Sequence, residues 1–426
     1  MPSDLKQVQI LECTLRDGSY LIDFQFTADD TTRLTRALDK LGMGLIEVGH
    51  GVGIAASPSK GRAAATDVDY VRAARAAAKK ARIGMFCIPG IATLDDLKAC
   101  VDAGLQFVRI GANVDAVAQT EEFISEARKM GLLVFCNFMK SYAMKPEAFA
   151  SVARISADFG AQCLYVVDSA GGMMPDEVKR YTEAVLDVVD LPVGFHGHNN
   201  LGLAVANSLA AIDAGATIVD TTLLGMGRSS GNAPTETMVA LLQRRYGACK
   251  DMDPSLYVEL AERAVAPLMR NRWDDSMKTA LGMAQVHSMY ASKIERRAEE
   301  NGLNLYSLIA EVGRRDMLNL SDVVLEKASK AAASEQKVVD FLGDVSLVEA
   351  PVDATDLAGA VLLARKLNLP VHAVLVSADK FASVEVTRAA VEIATTEAKL
   401  ADLHEQATFQ GVDVQSPPDR NIRFSA

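Results

Sequence analysis

The apolar run "VGFHGHN" carries two histidines one residue apart, His196 and His198. At strand spacing, residues i and i+2 point to the same face, so both imidazoles would stand on one side with a glycine between them. Two such rings and one carboxylate from elsewhere make a usual site for a divalent metal, although the same spacing also suits a plain polar pair on a strand. The best carboxylate is Asp17 in "TLRDGSY", directly after the apolar run "VQILEC". Its neighbour Arg16 has two readings. It either orients Asp17 through a salt bridge, or it is a fixed cation for negative charge that develops on a substrate oxygen.

Other polar residues fall where apolar runs end: Glu47 and His50, Arg109, Asn137, and Asp168 with Ser169. Glu47 and His50 either support a ligand from behind or make structural hydrogen bonds. The glycine-rich stretch "GMGRSSGN", residues 225–232, is no Walker A motif, because no G-K-[ST] follows. It reads as a phosphate cradle or as a turn passing close to a metal, with Asn232 supplying an extra oxygen or orienting a ligand.

Elements that could bring these residues together are legible over about the first 245 positions. Eight short apolar runs, from "VQILEC" through "TIVDTTLLG", alternate with Ala-rich amphipathic stretches. This pattern predicts an α/β fold, a closed (β/α)₈ barrel whose active site lies at the strand ends, with an open doubly wound sheet as the rival. Thr27, Thr93 and Pro234 stand where helices should start. The expected division is a catalytic barrel over 1–245, a helical domain packed on it over 246–340, and a small α/β extension over 341–426. That extension should hold a long helix from about 383 to 406 and end in a mobile tail.

Composition narrows the partners. Asp and Glu number 55 against 44 Lys and Arg, a net charge of −11, which argues against nucleic acid or an anionic membrane. There is no apolar run of about 18 residues and no signal-peptide pattern, so a cytoplasmic protein is expected. Six cysteines without C-x-x-C spacing, four of them (Cys13, Cys87, Cys136, Cys163) in strand-like runs, suggest reduced thiols in a core.

Five ordered motifs together resemble a known family. "TLRDG", "IEVGHG", "VVDSAGGMMP", "GFHGHNNLGLAVANSLAAIDAGA" and "VDTTLLGMGRSSGNAPTE" are similar to those of the metal-dependent pyruvate aldolases of the 4-hydroxy-2-oxovalerate type. These share a barrel superfamily with 3-hydroxy-3-methylglutaryl-CoA lyase and isopropylmalate synthase. The likeness spans about residues 8–335 and includes "ALGMAQVHSMYASKIERRAEENGLN" and "IAEVGRRDM". It implies Asp17, His196 and His198 as ligands to a divalent metal, Mn²⁺ first and Mg²⁺, Co²⁺ or Zn²⁺ as alternatives. It also implies Arg16 beside a pyruvate enolate, and the backbone near Ser169, with His50, at the substrate. Cleavage or formation of a carbon–carbon bond in a 4-hydroxy-2-oxo acid is the activity implied. An acylating aldehyde dehydrogenase partner and a homo-oligomer are implied as well.

Two departures qualify the likeness. The aldolases carry a histidine, thought to be the base, where this chain has Tyr20, and a tyrosine where it has His287. The two residue types are exchanged. This is either coincidence, a swapped acid/base pair in which His287 works with Tyr20, or the sign of a changed reaction. The second departure is the extension beyond about 341. A Claisen-type acyl-CoA synthase, an Fe(II) oxygen-using enzyme and a metal-binding barrel without turnover are the competing readings.

Overall fold

The computed structural model describes residue 5, residues 7–269 and 276–339, and four short strands beyond. Eight parallel strands close into a barrel in sequential order: β1 (Gln9–Glu12), β2 (Leu45–Glu47), β3 (Arg82–Cys87), β4 (Phe107–Asn113), β5 (Leu133–Met139), β6 (Cys163–Asp168), β7 (Val193–Gly197) and β8 (Ile218–Thr221). All eight apolar runs became strands, and closure rules out the open sheet. β8 pairs with both β1 and β7, which brings the residue after β1 to the same edge as the histidines of β7.

Helices follow the strands: α1 (Ala28–Lys40), α2 (Ser57–Lys60), α3 (Asp67–Ala77), α4 (Leu94–Asp102), α5 (Glu121–Lys129), α6 (Pro146–Asp158), α7 (Pro175–Leu186), α8 (Ala204–Asp213) and α9 (Thr235–Tyr246). Their starts are set locally. Thr27 and Thr93 each accept from a backbone N–H three residues on, while Asp30 and Asp96 bond back to the cap, giving two capping boxes. Pro234 caps α9.

Two apolar layers hold the barrel. Between strands and helices lies the larger core, which includes Ile46, Ile83, Val108, Phe149 and Val239. Inside the barrel Leu11, Leu45, Phe107, Phe135, Tyr165 and Ile218 fill the lower half. A Cβ at Gly84 would lie 2.1 Å from the Phe107 ring, and one at Gly194 2.4 Å from Tyr165, so these positions take no side chain.

A helical segment continues the same compact unit, which runs to Ala333. It comprises α10 (Pro254–Leu260), α11 (Ser276–Met283), α12 (Ala291–Asn301), α13 (Leu305–Arg315) and the part of α14 (Asp322–Val339) up to Ala333. Its own core includes Leu281, Val286, Ile294, Leu308 and Val312. The amphipathic pattern of residues 283–302 is not one helix: it breaks around His287, which caps a short turn, Ser288–Tyr290, ahead of α12.

The second unit, Ser334–Ala426, starts earlier than the expected 341. Its described part is an antiparallel sheet in the order β11-β12-β10-β9: β9 (Val374–Leu375), β10 (Val384–Val386), β11 (Val412–Val414) and β12 (Asn421–Phe424). β10 occupies the first turn of the helix expected from 383, whose remainder lies outside the described residues. The expected mobile tail contains β12, which pairs with both β10 and β11. Among the described residues no helix is long and apolar enough to cross a membrane.

Candidate metal centre and active site

One ligand atom each from Asp17, His196 and His198 lies within 4.8 Å of the others, and all three side chains are buried. The histidines extend from β7 with rings perpendicular and 5.1 Å apart. His196 Nδ1 meets Asp220 Oδ2 at 2.8 Å, and His198 Nδ1 meets the carbonyl of Gly231 at 3.2 Å. Acceptors at both Nδ1 atoms place the ring protons there and leave the Nε2 lone pairs for a metal. Asn232 donates from Nδ2 to Asp17 Oδ2 at 2.6 Å, while its own Oδ1 is buried without a partner. An orphaned oxygen beside two imidazoles and a carboxylate fits the needs of a divalent ion. Burial alone would raise the Asp17 carboxyl. Arg16, His198, His196 and Arg228 outweigh it, so the group is held well below the usual carboxylate range.

Behind these ligands lies a buried ion network. Arg16 donates from Nε to Glu47 Oε2 and from Nη1 to Asp17 Oδ1, both at 2.7 Å. Fully buried Arg109 donates to the same Glu47 oxygen at 2.9 Å, to Asp220 Oδ2, and to Asn137 Oδ1 at 3.2 Å. Two guanidiniums thus face three carboxylates inside the barrel, each fixed by more than one bond. Among the described residues, Nη2 of Arg16 has no hydrogen-bond partner, and Arg16 lines the cavity.

That cavity, about 610 Å³, opens at the strand ends. Asp17, His196, His198, Ser169, Tyr20 and His287 all line it. Tyr20 packs edge-on against Phe24, and burial raises its hydroxyl above the ordinary value. Burial first, then Arg228 and Lys140, push the His287 imidazole well below its ordinary value, so the ring is neutral. Met289 N–H reaches His287 Nδ1 at 3.1 Å, and Arg228 Nη1 lies 2.7 Å from Nε2. A neutral imidazole has one lone pair, so these two donors compete for it.

Two strand-end residues have other work. His50, expected at the substrate, spends both ring nitrogens on backbone. Nε2 meets Gly61 O at 2.8 Å and Nδ1 accepts from Val52 N at 3.1 Å, while the ring stacks on Phe24. It does not line the cavity. Asp168 accepts from the backbone of Gly172 and Met173 and closes the loop after β6. Burial pushes its carboxyl up to about 6.

Sequence reasoning missed Asp220, Arg228 and Lys140. Asp220 stands in the strand run "IVDTT", where its period matched the core. Arg228 is in the quoted "GMGRSSGN", a loop read through its glycines. Its Nη2 lies 2.6 Å from His198 Nε2 and 3.3 Å from Ser169 O, and its Nη1 2.9 Å from Ser288 Oγ. Lys140 follows β5. Its ammonium meets Leu318 O and Tyr290 Oη, and burial, aided by Arg228, lowers it to about 8.

Residues 7–262, most of the barrel unit, match the model of one family, described as HMGL-like. The chain belongs to the HMGL-like family. It is 38% identical over 330 residues to 4-hydroxy-2-oxovalerate aldolase 4 of Rhodococcus opacus (strain B4), covering 77% of this chain and 95% of the relative. The 4-hydroxy-2-oxovalerate aldolase of Pelotomaculum thermopropionicum is 37% identical over 337 residues, 78% of this chain and 98% of the relative. Among solved structures, the carboxyl transferase domain of Rhizobium etli pyruvate carboxylase with 3-hydroxypyruvate superposes with a TM-score of 0.62. It has 17% identity and covers 84% of this chain and 65% of that one, a likeness of fold alone.

Proposed function

We propose that this chain is a divalent-metal-dependent carbon–carbon lyase that cleaves, or forms, a 4-hydroxy-2-oxo acid with pyruvate as one half. The observation that carries the reading is the convergence of Asp17, His196 and His198 beside Arg16 at the barrel mouth, in a chain that matches 4-hydroxy-2-oxovalerate aldolases over nearly their whole length. Asp17, His196 and His198, with Asn232 Oδ1 beside them, would hold a divalent ion, Mn²⁺ ahead of Mg²⁺, Co²⁺ and Zn²⁺, which would supply Lewis acidity toward a 2-oxo acid.

In cleavage the 4-hydroxyl proton leaves and the C3–C4 bond breaks. Its electron pair goes to the pyruvate half as an enolate, which is then protonated at C3. Arg16 is the fixed cation for that charge: Nε and Nη1 are anchored by carboxylates, so Nη2 is held in the cavity at no cost of reorganisation. Ser169 contributes to holding the substrate carboxylate. For the proton, the one lone pair of the neutral His287 imidazole becomes an acceptor when Arg228 and Met289 N–H both release it, while Tyr20 keeps its proton and serves as a donor. The exchanged residue types therefore divide acid and base between them.

In this reading the barrel, 1–245, carries the chemistry and the helical domain, 246–340, covers its mouth. The segment 341–426 is an addition to the aldolase body. The enzyme is cytoplasmic and homo-oligomeric, and an acylating aldehyde dehydrogenase is its candidate partner. The test is pyruvate release from 4-hydroxy-2-oxopentanoate by purified protein, with and without chelator. Chelator-insensitive turnover, or thiol release from an acyl-CoA with a 2-oxo acid in place of pyruvate release, would overturn it.

A further inference from the structure

Two cations set inside the cavity, Arg228 and Lys140, form no ion pair among the described residues, although Asp115 and Asp316 act on Lys140 from further away. Among the described residues, no carboxylate side chain lies within ion-pair distance of Arg228 or Lys140, and both line the cavity. The Arg228 guanidinium touches only neutral groups: His198, His287, Ser288 Oγ and the carbonyl of Ser169. Its one link to a carboxylate is through its backbone N–H, which reaches Asp17 Oδ2 at 3.3 Å. Lys140 is 2% exposed and meets a carbonyl and a phenol. Arg16 and Arg109 are each matched by two carboxylates. A cation withdrawn from water without an ion pair is costly, and a cavity that holds one buried (Lys140) and one half-buried (Arg228) is suited to more negative charge than one carboxylate brings.

We propose that the aldehyde half of the substrate carries its own anionic group, a carboxylate or a phosphate, held by Arg228 and Lys140. The inference rests on the lyase reading above, which already commits the 2-oxo acid carboxylate of the pyruvate half to the metal group and Ser169. It also gives Arg228 a reason to leave His287: an arriving oxyanion offers the guanidinium a charge-assisted bond that a neutral imidazole cannot match.

The experiment is condensation of pyruvate with three aldehydes: propanal, succinic semialdehyde and D-glyceraldehyde 3-phosphate. In each, pyruvate C3 loses a proton and bonds to the aldehyde carbon, whose oxygen gains one. One of the two charged aldehydes is expected to exceed propanal in kcat/KM by about 10²-fold or more, because a polar site left unmatched rejects the ligand that lacks the group. Which one wins distinguishes carboxylate from phosphate. Arg228→Gln and Lys140→Met should each cut that ratio at least about tenfold, chiefly through KM for the aldehyde. Lys60→Gln, on the exposed rim, is the charge control and should preserve it. Equal kcat/KM for all three aldehydes overturns the proposal. Calorimetric binding supplies a readout apart from turnover. 2-Oxoglutarate should bind at least about tenfold tighter than 2-oxopentanoate, and Arg228→Gln should erase the difference. Equal affinities exclude the carboxylate and, without a preference for the phosphorylated aldehyde, overturn the proposal, whereas a clear difference without any turnover would count against the lyase reading instead.

Discussion

Asp220 stands behind the metal group rather than in it, so replacing it measures how far the ligands depend on their support. Its Oδ2 accepts from His196 Nδ1 at 2.8 Å and from Arg109, and its Oδ1 is buried without a partner. Asp220→Asn keeps the shape. With the amide oxygen turned to both donors, the NH₂ falls where Oδ1 had no partner, an unsatisfied group that costs about 1–3 kcal/mol. Loss of the charge leaves Arg109 with Glu47 alone. Removing one side of a buried ion pair costs roughly 3–5 kcal/mol, and the remaining carboxylate places this case at the lower end. At the metal, removal of the carboxylate behind a ligating histidine lowers affinity about 10–100-fold. The assay is Mn²⁺ titration of the folded variant, read as free Mn²⁺ by electron paramagnetic resonance, beside urea unfolding. Arg109→Met separates the two effects. It should lose comparable stability, yet it removes a positive charge near the ion and leaves Asp220 to His196 alone, so Mn²⁺ affinity should hold or rise. An Asp220→Asn protein that folds and binds Mn²⁺ within about twofold of the parent would refute the reasoning.

Further outcomes are expected at other residues. His287→Ala should lower kcat about 10²–10⁴-fold and Tyr20→Phe by less, measured as pyruvate release; undiminished turnover in His287→Ala would end the exchanged-pair mechanism. The His287 imidazole is held below its ordinary value, so it stays neutral and competent as pH falls through 6.5. The acid limb of kcat/KM should therefore lie below the usual histidine range, and a limb at or above 6.5 would point to a different base. Asn232→Ala removes both the orphaned Oδ1 and the bond that aims Asp17, and should weaken Mn²⁺ binding about tenfold in the same titration. Thr93→Ala breaks a capping box on α4, and Thr93 itself does not line the cavity; urea unfolding should show a loss of about 1 kcal/mol with Mn²⁺ affinity unmoved.

The barrel was legible because its strands are short apolar runs separated by periodic helices, a pattern that needs no tertiary knowledge. The clustering of Asp17, His196 and His198 was legible for a related reason. His196 and His198 are two apart on one strand, and closure alone puts Asp17 beside them across β8. What stayed hidden depended on depth rather than type. Asp220 sits mid-barrel with partners on other strands, so nothing local marks it, and Arg109, which was marked as a strand-end residue, lies deeper than that reading implied, among Tyr165 and Cys13. His50 looked like a site residue because it follows β2, but the chain folds back over it and Gly61 and Val52 claim its nitrogens. The break at His287 was hidden because the amphipathic pattern runs through it, while the local geometry is set by Met289 N–H on the ring. In the second unit, "VEV" at 384–386 had helical neighbours in sequence and a strand partner at 421–422.

Arg16 and Arg228 show two ways of keeping a guanidinium in one cavity. Arg16 is matched by Glu47 and Asp17 on two of its nitrogens, so its direction is set before any substrate arrives and its net charge is largely cancelled. Such a group stabilises charge by orientation, and it is suited to an oxygen that becomes negative only during the reaction. The Arg228 guanidinium has no carboxylate partner among the described residues and rests on imidazoles that, in the proposed reaction, a metal and a proton transfer both need. Its charge is uncancelled and its resting contacts are replaceable, which suits an anion that is negative before it binds. The lone pair of His198 makes the same point from the other side. Arg228 Nη2 and a metal cannot both occupy Nε2, so loading the metal and turning Arg228 toward a substrate oxyanion favour one another.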